Sequence, residues 1–161
     1  MTLGDVHNKQ MVSDKQIVIV AASTNLAVGL VYQNGANGLI QVPTSSQPLA
    51  TRVYFNPIAQ NNSSGAAGDL SAMVYGDGAI VTGTADGSIT VGTLVKLSAN
   101  TAGAFQAYTA DTSSVANYET ARKLIVGVYL GHEGEGEEKG SKPTDAANAE
   151  TNCKFMIKRI D

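Results

Sequence analysis

The apolar residues of this chain come in short, β-branched runs cut by Gly, Asn and Pro, and that spacing constrains the fold more than any other feature. "QIVIVA" (16–21), "LAVGLVY" (26–32), "LIQV" (39–42), "ATRVYF" (50–55), "SAMVY" (71–75) and "AIVTG" (79–83) each have the length of a strand. Between them lie "QNGANG", whose Asn-Gly pair favours the positive φ of a hairpin turn, and the loops "PTSSQP" and "QNNSSGAAG". No segment sustains a 3.6-residue period for the ten or more residues that a helix needs. Residues 111–121, "DTSSVANYETA", allow a loop or one helical turn capped at Asp111 or Thr112. About ten short strands at such spacing predict an all-β chain: a compact β-barrel or sandwich with an extended N-terminal arm and an acidic loop insertion.

The most regular stretch is 86–109, "DGSITVGTLVKLSANTAGAFQAYT", read as strand, turn, strand. Val91, Thr93, Val95 and Leu97 fall on one strand face by period two, while Lys96 and Gln106 are expected to face outward. "RKLIVGVYLG" (122–131) is the strongest strand. Leu124, Val126, Val128 and Leu130 share one face, and Ile125 and Tyr129 the other. Both faces are apolar, which predicts a central position. The end of the chain alternates Cys153, Phe155 and Ile157 with Lys154, Met156 and Lys158, the pattern of a half-exposed closing strand. An internal echo runs through the chain. "LAVGLVYQNGANGLIQV" resembles "ITVGTLVKLSANTAGAFQA", and "ATRVYF" parallels "ARKLIVGVYLG". Short β-patterns converge easily, so the echo alone does not establish a fixed-period repeat.

With 161 residues, 43% of them hydrophobic, the chain can bury a core as a single β domain over 16–161. Residues 1–15 read as an arm, either a frayed terminus or a segment that orders against a neighbouring subunit, in which case Val6, His7, Met11 and Val12 are its partner-binding residues. Charged residues make up only 16% of the chain and the net charge is −3. An uncharged polar surface of this kind is readily covered by partners, and the lack of a basic run argues against a nucleic-acid groove. The single Cys excludes an intramolecular disulfide. No apolar run approaches the ~20 residues that span a bilayer, and the first residues carry no signal-peptide pattern, so neither membrane nor secretion is expected.

Few residues suggest chemistry. His7 lies in the arm and His132 opens the acidic stretch 132–149, "HEGEGEEKGSKPTDAANA"; neither is placed as the base of a catalytic triad. Cys153 reads as a small buried hydrophobe. His132, Glu133, Glu135, Glu137 and Glu138 form the best candidate for a cation site, but they lack an EF-hand order, and acidic Gly-rich loops are usually just solvated. "YGDGAIVTGTADG" fits neither the Rossmann nor the Walker spacing. Asn61 and Asn62 open N-x-S patterns that read as turn residues. The expectation is therefore a non-enzyme with no catalytic residue, no metal and no cofactor.

The segments "GSITVGTLVKLSANTAGAFQAY" and "ARKLIVGVYLG" resemble the small capsid decoration, or cement, proteins of tailed bacteriophages and related viruses. The likeness rests on Gly92, Leu94–Leu97, Gly103 and residues 125–131, with a looser echo in "VIVAASTNLAVGLVY". It covers about a third of the chain, which is longer than many cement proteins and carries the acidic stretch as an apparent insertion. The resemblance implies a β-tulip or jelly-roll-like domain on the outer surface of the capsid. Such a protein is made in the host cytoplasm, binds the major capsid protein as a homotrimer through its arm, and cements the shell. The other readings are a β-sandwich binding module for glycans or a host surface, such as an adhesin or fibre head, and another virion component such as a tail-tube subunit.

Overall fold

The computed structural model describes residues 17–21, 31–34, 40–41, 53–55, 70–74, 78–98, 100–101, 103–136 and 141–157, the first five segments as backbone only. The arm residues Val6, His7, Met11 and Val12, together with Glu137, Glu138, Asn61 and Asn62, lie outside these. The described residues are mostly β. The strands are β1 (Ile17–Ala21), β2 (Val31–Asn34), β3 (Ile40–Gln41), β4 (Val53–Phe55) and β5 (Leu70–Val74), then β6 (Ile80–Gly83), β7 (Leu94–Leu97), β8 (Phe105–Ala107), β9 (Ile125–His132) and β10 (Cys153–Ile157), with one helix, α1 (Val115–Arg122), between β8 and β9. Among the described residues no helix is long and apolar enough to cross a membrane.

The strands form two five-stranded sheets, ordered β1-β5-β4-β2-β3 and β6-β10-β9-β7-β8, and every ladder is antiparallel. The two orders are one pattern displaced by five strands. β2 and β3 correspond to β7 and β8, and β4 corresponds to β9, so the echo read in the sequence falls on topologically equivalent strands. The chain thus repeats a five-stranded antiparallel unit.

The second unit carries a described core of Val81, Ala85, Ile89, Val95, Phe105, Val126, Tyr129, Cys153, Phe155 and their neighbours. Phe105 stacks on Phe155 with ring centroids 4.1 Å apart, and Tyr129 lies 5.4 Å from Phe155. Two glycines make this packing possible. A Cβ on Gly83 would stand 2.7 Å from the Phe105 ring, and one on Gly127 would stand 2.4 Å from the Met156 carbonyl oxygen. The sheet does not close into a barrel. Its outer strands β6 and β8 share no ladder; beyond the end of β6, Ala85 makes an isolated parallel bridge to Phe105. Beyond it Gly87, at φ +83°, turns the chain away, so the ladder cannot lengthen.

β9 is central, as its two apolar faces predict. Three other readings are corrected. β10 is not a half-exposed closing strand: it lies between β6 and β9, and Lys154 is buried, with its Nζ donating to the Glu135 carbonyl at 2.7 Å. The strand through Val91, Thr93, Val95 and Leu97 begins only at Leu94, because Val91 and Gly92 form a turn closed by the Thr93 N–H on the Thr90 carbonyl at 3.0 Å. Val91, Val95 and Leu97 still reach the same core. Residues 115–122 form a two-turn helix, capped by neither Asp111 nor Thr112 but by Ser114, whose side chain accepts the Asn117 N–H at 3.1 Å. The period is unreadable because α1 buries none of its residues.

Candidate functional site

The connection between β9 and β10 is more than a solvated loop. Its return half lies along residues 85–91 and borrows their backbone groups. Ile89 and Ala146 exchange N–H···O bonds at 3.1 and 2.8 Å, the Ala85 N–H donates to the Glu150 carbonyl at 2.8 Å, and the Ala149 N–H donates to the Ala85 carbonyl at 3.0 Å. Side chains add to this seam: Asp145 accepts the Val91 N–H at 2.9 Å and Asn148 accepts the Gly87 N–H at 2.8 Å. Ala146 is buried at the centre of the contact. Docking of this kind satisfies backbone groups that would otherwise need water.

That seam brings Glu150 back to the end of β9, where His132 stands. His132 and Cys153 are register neighbours across the β9–β10 ladder. The His132 imidazole is held from both sides. Its Nε2 lies 2.6 Å from Glu150 Oε2, and its Nδ1 lies 2.9 Å from Thr144 Oγ1 and 3.3 Å from Glu135 Oε2. Glu135 is itself fixed by three donors: the His132 N–H at 2.7 Å, the Thr144 N–H at 2.8 Å and the Thr144 hydroxyl at 2.5 Å. The Ala147 N–H holds Glu150 at 2.8 Å, and the Tyr129 hydroxyl donates to the Thr144 carbonyl at 2.9 Å. Gly134 and Gly136, both at positive φ, let the chain fold Glu135 back over His132.

The electrostatics follow from these contacts. Burial opposes a charge on His132, but the hydrogen bond and charge of Glu150, joined by Glu135, outweigh it and hold the imidazole above its ordinary value. Burial raises Glu135 as well, yet its Thr144 and His132 donors prevail and lower it to about 2. The bonds from His132 and the Ala147 N–H lower Glu150. The cluster therefore favours a charged imidazole between two carboxylates. Cys153 is fully buried beside it, and desolvation followed by the Glu150 charge pushes its thiol up to about 11.

Of the acidic residues singled out in the sequence, Glu135 joins the cluster, while Glu133 turns to the sheet and accepts the Thr82 hydroxyl at 2.7 Å. Sequence reasoning missed Glu150, Thr144 and Tyr129, and left Cys153 unconnected to His132. The signal that could have found the pair is hairpin register: aligning β9 against β10 places His132 opposite Cys153. The equivalent connection of the first unit, residues 56–69, contains no His, Cys or Glu, so the donor set belongs to the second unit alone.

No protein-family model and no curated protein matches the chain.

Proposed function

We propose that this chain is a structural virion protein that binds the outer surface of an assembled phage capsid and cements the shell. The observation that carries the reading is a pairing. The two segments that resemble cement proteins, 87–108 and 121–131, supply β7, β8 and β9, and β7 lies between the other two as their hydrogen-bonded neighbour. The likeness therefore follows one contiguous piece of sheet. The all-β character, the repeated unit and the low content of charge support the same reading, because small uncharged surfaces allow close approach to a lattice of identical partners and many weak contacts add through avidity. The finer architecture, a sandwich of the β-tulip or jelly-roll kind, belongs to this proposal. So do the homotrimer, the major capsid protein as partner, the location on the outside of the virion, the absence of enzymatic activity, and the arm 1–15 with Val6, His7, Met11 and Val12 as its contacts.

The test is co-sedimentation of the full chain and of a chain lacking residues 1–15 with shells assembled from the major capsid protein. The full chain is expected to decorate the shells and the shortened chain to lose at least tenfold in affinity while retaining its far-UV circular dichroism. Full decoration by the shortened chain would remove the arm's role. A lack of decoration by the full chain, combined with saturable binding on a glycan array, would replace the reading with that of a glycan-binding module.

A further inference from the structure

We propose that His132 Nε2, the Glu150 carboxylate and Cys153 Sγ form a binding site for one borderline-soft divalent cation of the zinc class. This goes beyond the capsid reading and does not depend on it. The three groups each offer one donor atom, and these atoms all lie within 4.8 Å of one another. They supply one nitrogen, one oxygen and one sulfur. Magnesium and calcium prefer oxygen alone, whereas a mixed N, O, S set selects zinc and its neighbours.

The donors come from three places that the fold fixes independently. His132 ends β9, and Cys153 begins β10 opposite it. Glu150 is set by the seam, through the Ala85 N–H on its carbonyl and the Ala147 N–H on its carboxylate. The surroundings match what a metal-bound histidine needs. His132 Nδ1 faces Thr144 Oγ1 at 2.9 Å, and the Thr144 hydroxyl donates to Glu135 Oε1 at 2.5 Å. An Nδ1–H held in this way means that loss of the Nε2 proton leaves a lone pair on the Glu150 side of the ring, and such an Nδ1–H contact is the usual outer partner of a histidine ligand. The Nε2–Oε2 distance of 2.6 Å is shorter than the roughly 3.3 Å between N and O donors of a tetrahedral zinc, so Glu150 must swing out by about 0.7 Å. Its side chain is 37% exposed and has room to do so. The cation takes the position between His132 and Glu150 now held by a proton, and the Cys153 proton leaves on binding. Three protein ligands leave a fourth position for water.

The full chain, stripped with EDTA, is titrated with Zn²⁺ by calorimetry and with Co²⁺ by absorption spectroscopy. The expected result is one Zn²⁺ per chain, a raised Tm, and a Co²⁺ spectrum with tetrahedral d–d bands and a sulfur-to-cobalt charge-transfer band. Cys153→Ser is expected to abolish the charge-transfer band. Glu150→Gln and His132→Gln are expected to weaken Zn²⁺ binding at least tenfold with the circular dichroism unchanged. Absence of stoichiometric Zn²⁺ binding to the unmodified chain overturns the proposal. So does a Co²⁺ spectrum without the sulfur band, or undiminished affinity in Glu150→Gln. Should Cys153→Ser fail to fold, the sulfur band of the unmodified chain and the exposed Glu150→Gln variant still decide. Capsid binding enters none of these readouts, so this proposal and the capsid reading can fail separately.

Discussion

Gly127 shows how much a single missing side chain can decide. It sits in the central strand, where a Cβ would come within 2.4 Å of the Met156 carbonyl oxygen and 3.3 Å of its carbon. Backbone atoms in a ladder cannot yield as a flexible side chain can. Gly127→Ala is therefore expected to destabilise the chain by about 3 kcal/mol, the upper end of ordinary overpacking, read as a lower urea midpoint. A wild-type midpoint in this variant would show that the β9–β10 spacing is looser than described. Tyr129 makes the opposite case. Its ring is core, and its hydroxyl reaches the Thr144 carbonyl at 2.9 Å. Tyr129→Phe keeps the packing and removes that bond together with the longer 3.4 Å contact to His132 Nδ1, so a loss of about 1 kcal/mol is expected, with faster amide exchange across residues 144–147 as the local signature.

At the scale of elements, α1 and the seam differ in how they are held. α1 has eight residues, shorter than an isolated helix sustains in water, and buries none of them. Its Ser114 cap and the Thr120 hydroxyl on the Ala116 carbonyl at 2.9 Å are local bonds. Ser114→Ala is expected to cost the helix about 1 kcal/mol, visible as faster amide exchange in 116–118, and to leave the global urea midpoint unchanged. A fall in that midpoint would mean that α1 supports the sheet. The seam is non-local, binding residues 85–91 to 145–150 through backbone pairs. The legibility of the elements follows the same division. Most of β1 to β9 could be placed from β-branched runs and turn residues because strand period and turn chemistry are local; β2, however, runs on through Gln33 and Asn34, which the sequence reads as the start of a turn, because β3 pairs with them. The interior position of β10 could not, since Lys154 reads as a surface residue until a carbonyl across the loop accepts its Nζ.

For the whole molecule, the cluster at the end of β9 links stability to pH. His132 is raised above its ordinary 6.5, so its contribution is complete below about pH 6.5 and is lost as pH climbs through the folded value. Glu135 is lowered from 4.5 to about 2, so its contribution is complete above about pH 4.5 and is lost as pH falls toward 2; Glu150 moves in the same sense. In EDTA, the Tm difference between the wild type and His132→Gln is expected to be largest between about pH 4.5 and 6.5 and to shrink on both sides. A difference constant from pH 3 to 9 would show that the imidazolium contributes no net stability. The repeated topology gives the same scale a second meaning. Two units share one strand order, and only the second carries the donor cluster, so the distinguishing chemistry lies in a connection and the common scaffold lies in the strands.

By itself, the sequence determined the local structure: short strands, the central place of the doubly apolar 125–131 run, and the echo between the two halves. These follow from side-chain period and backbone preference, which act over a few residues. Only the tertiary structure decided that Gly83 and Gly127 are needed for close packing, that the ladder stops at one bridge beside Gly87, and that Glu150 and Cys153 meet His132. The physical reason is distance along the chain. Glu150 is 18 residues from its imidazole partner, and their meeting depends on ladder register and on the docking of the loop against residues 85–91. Neither is encoded in the residues around His132, where the sequence shows only a histidine before a run of acids.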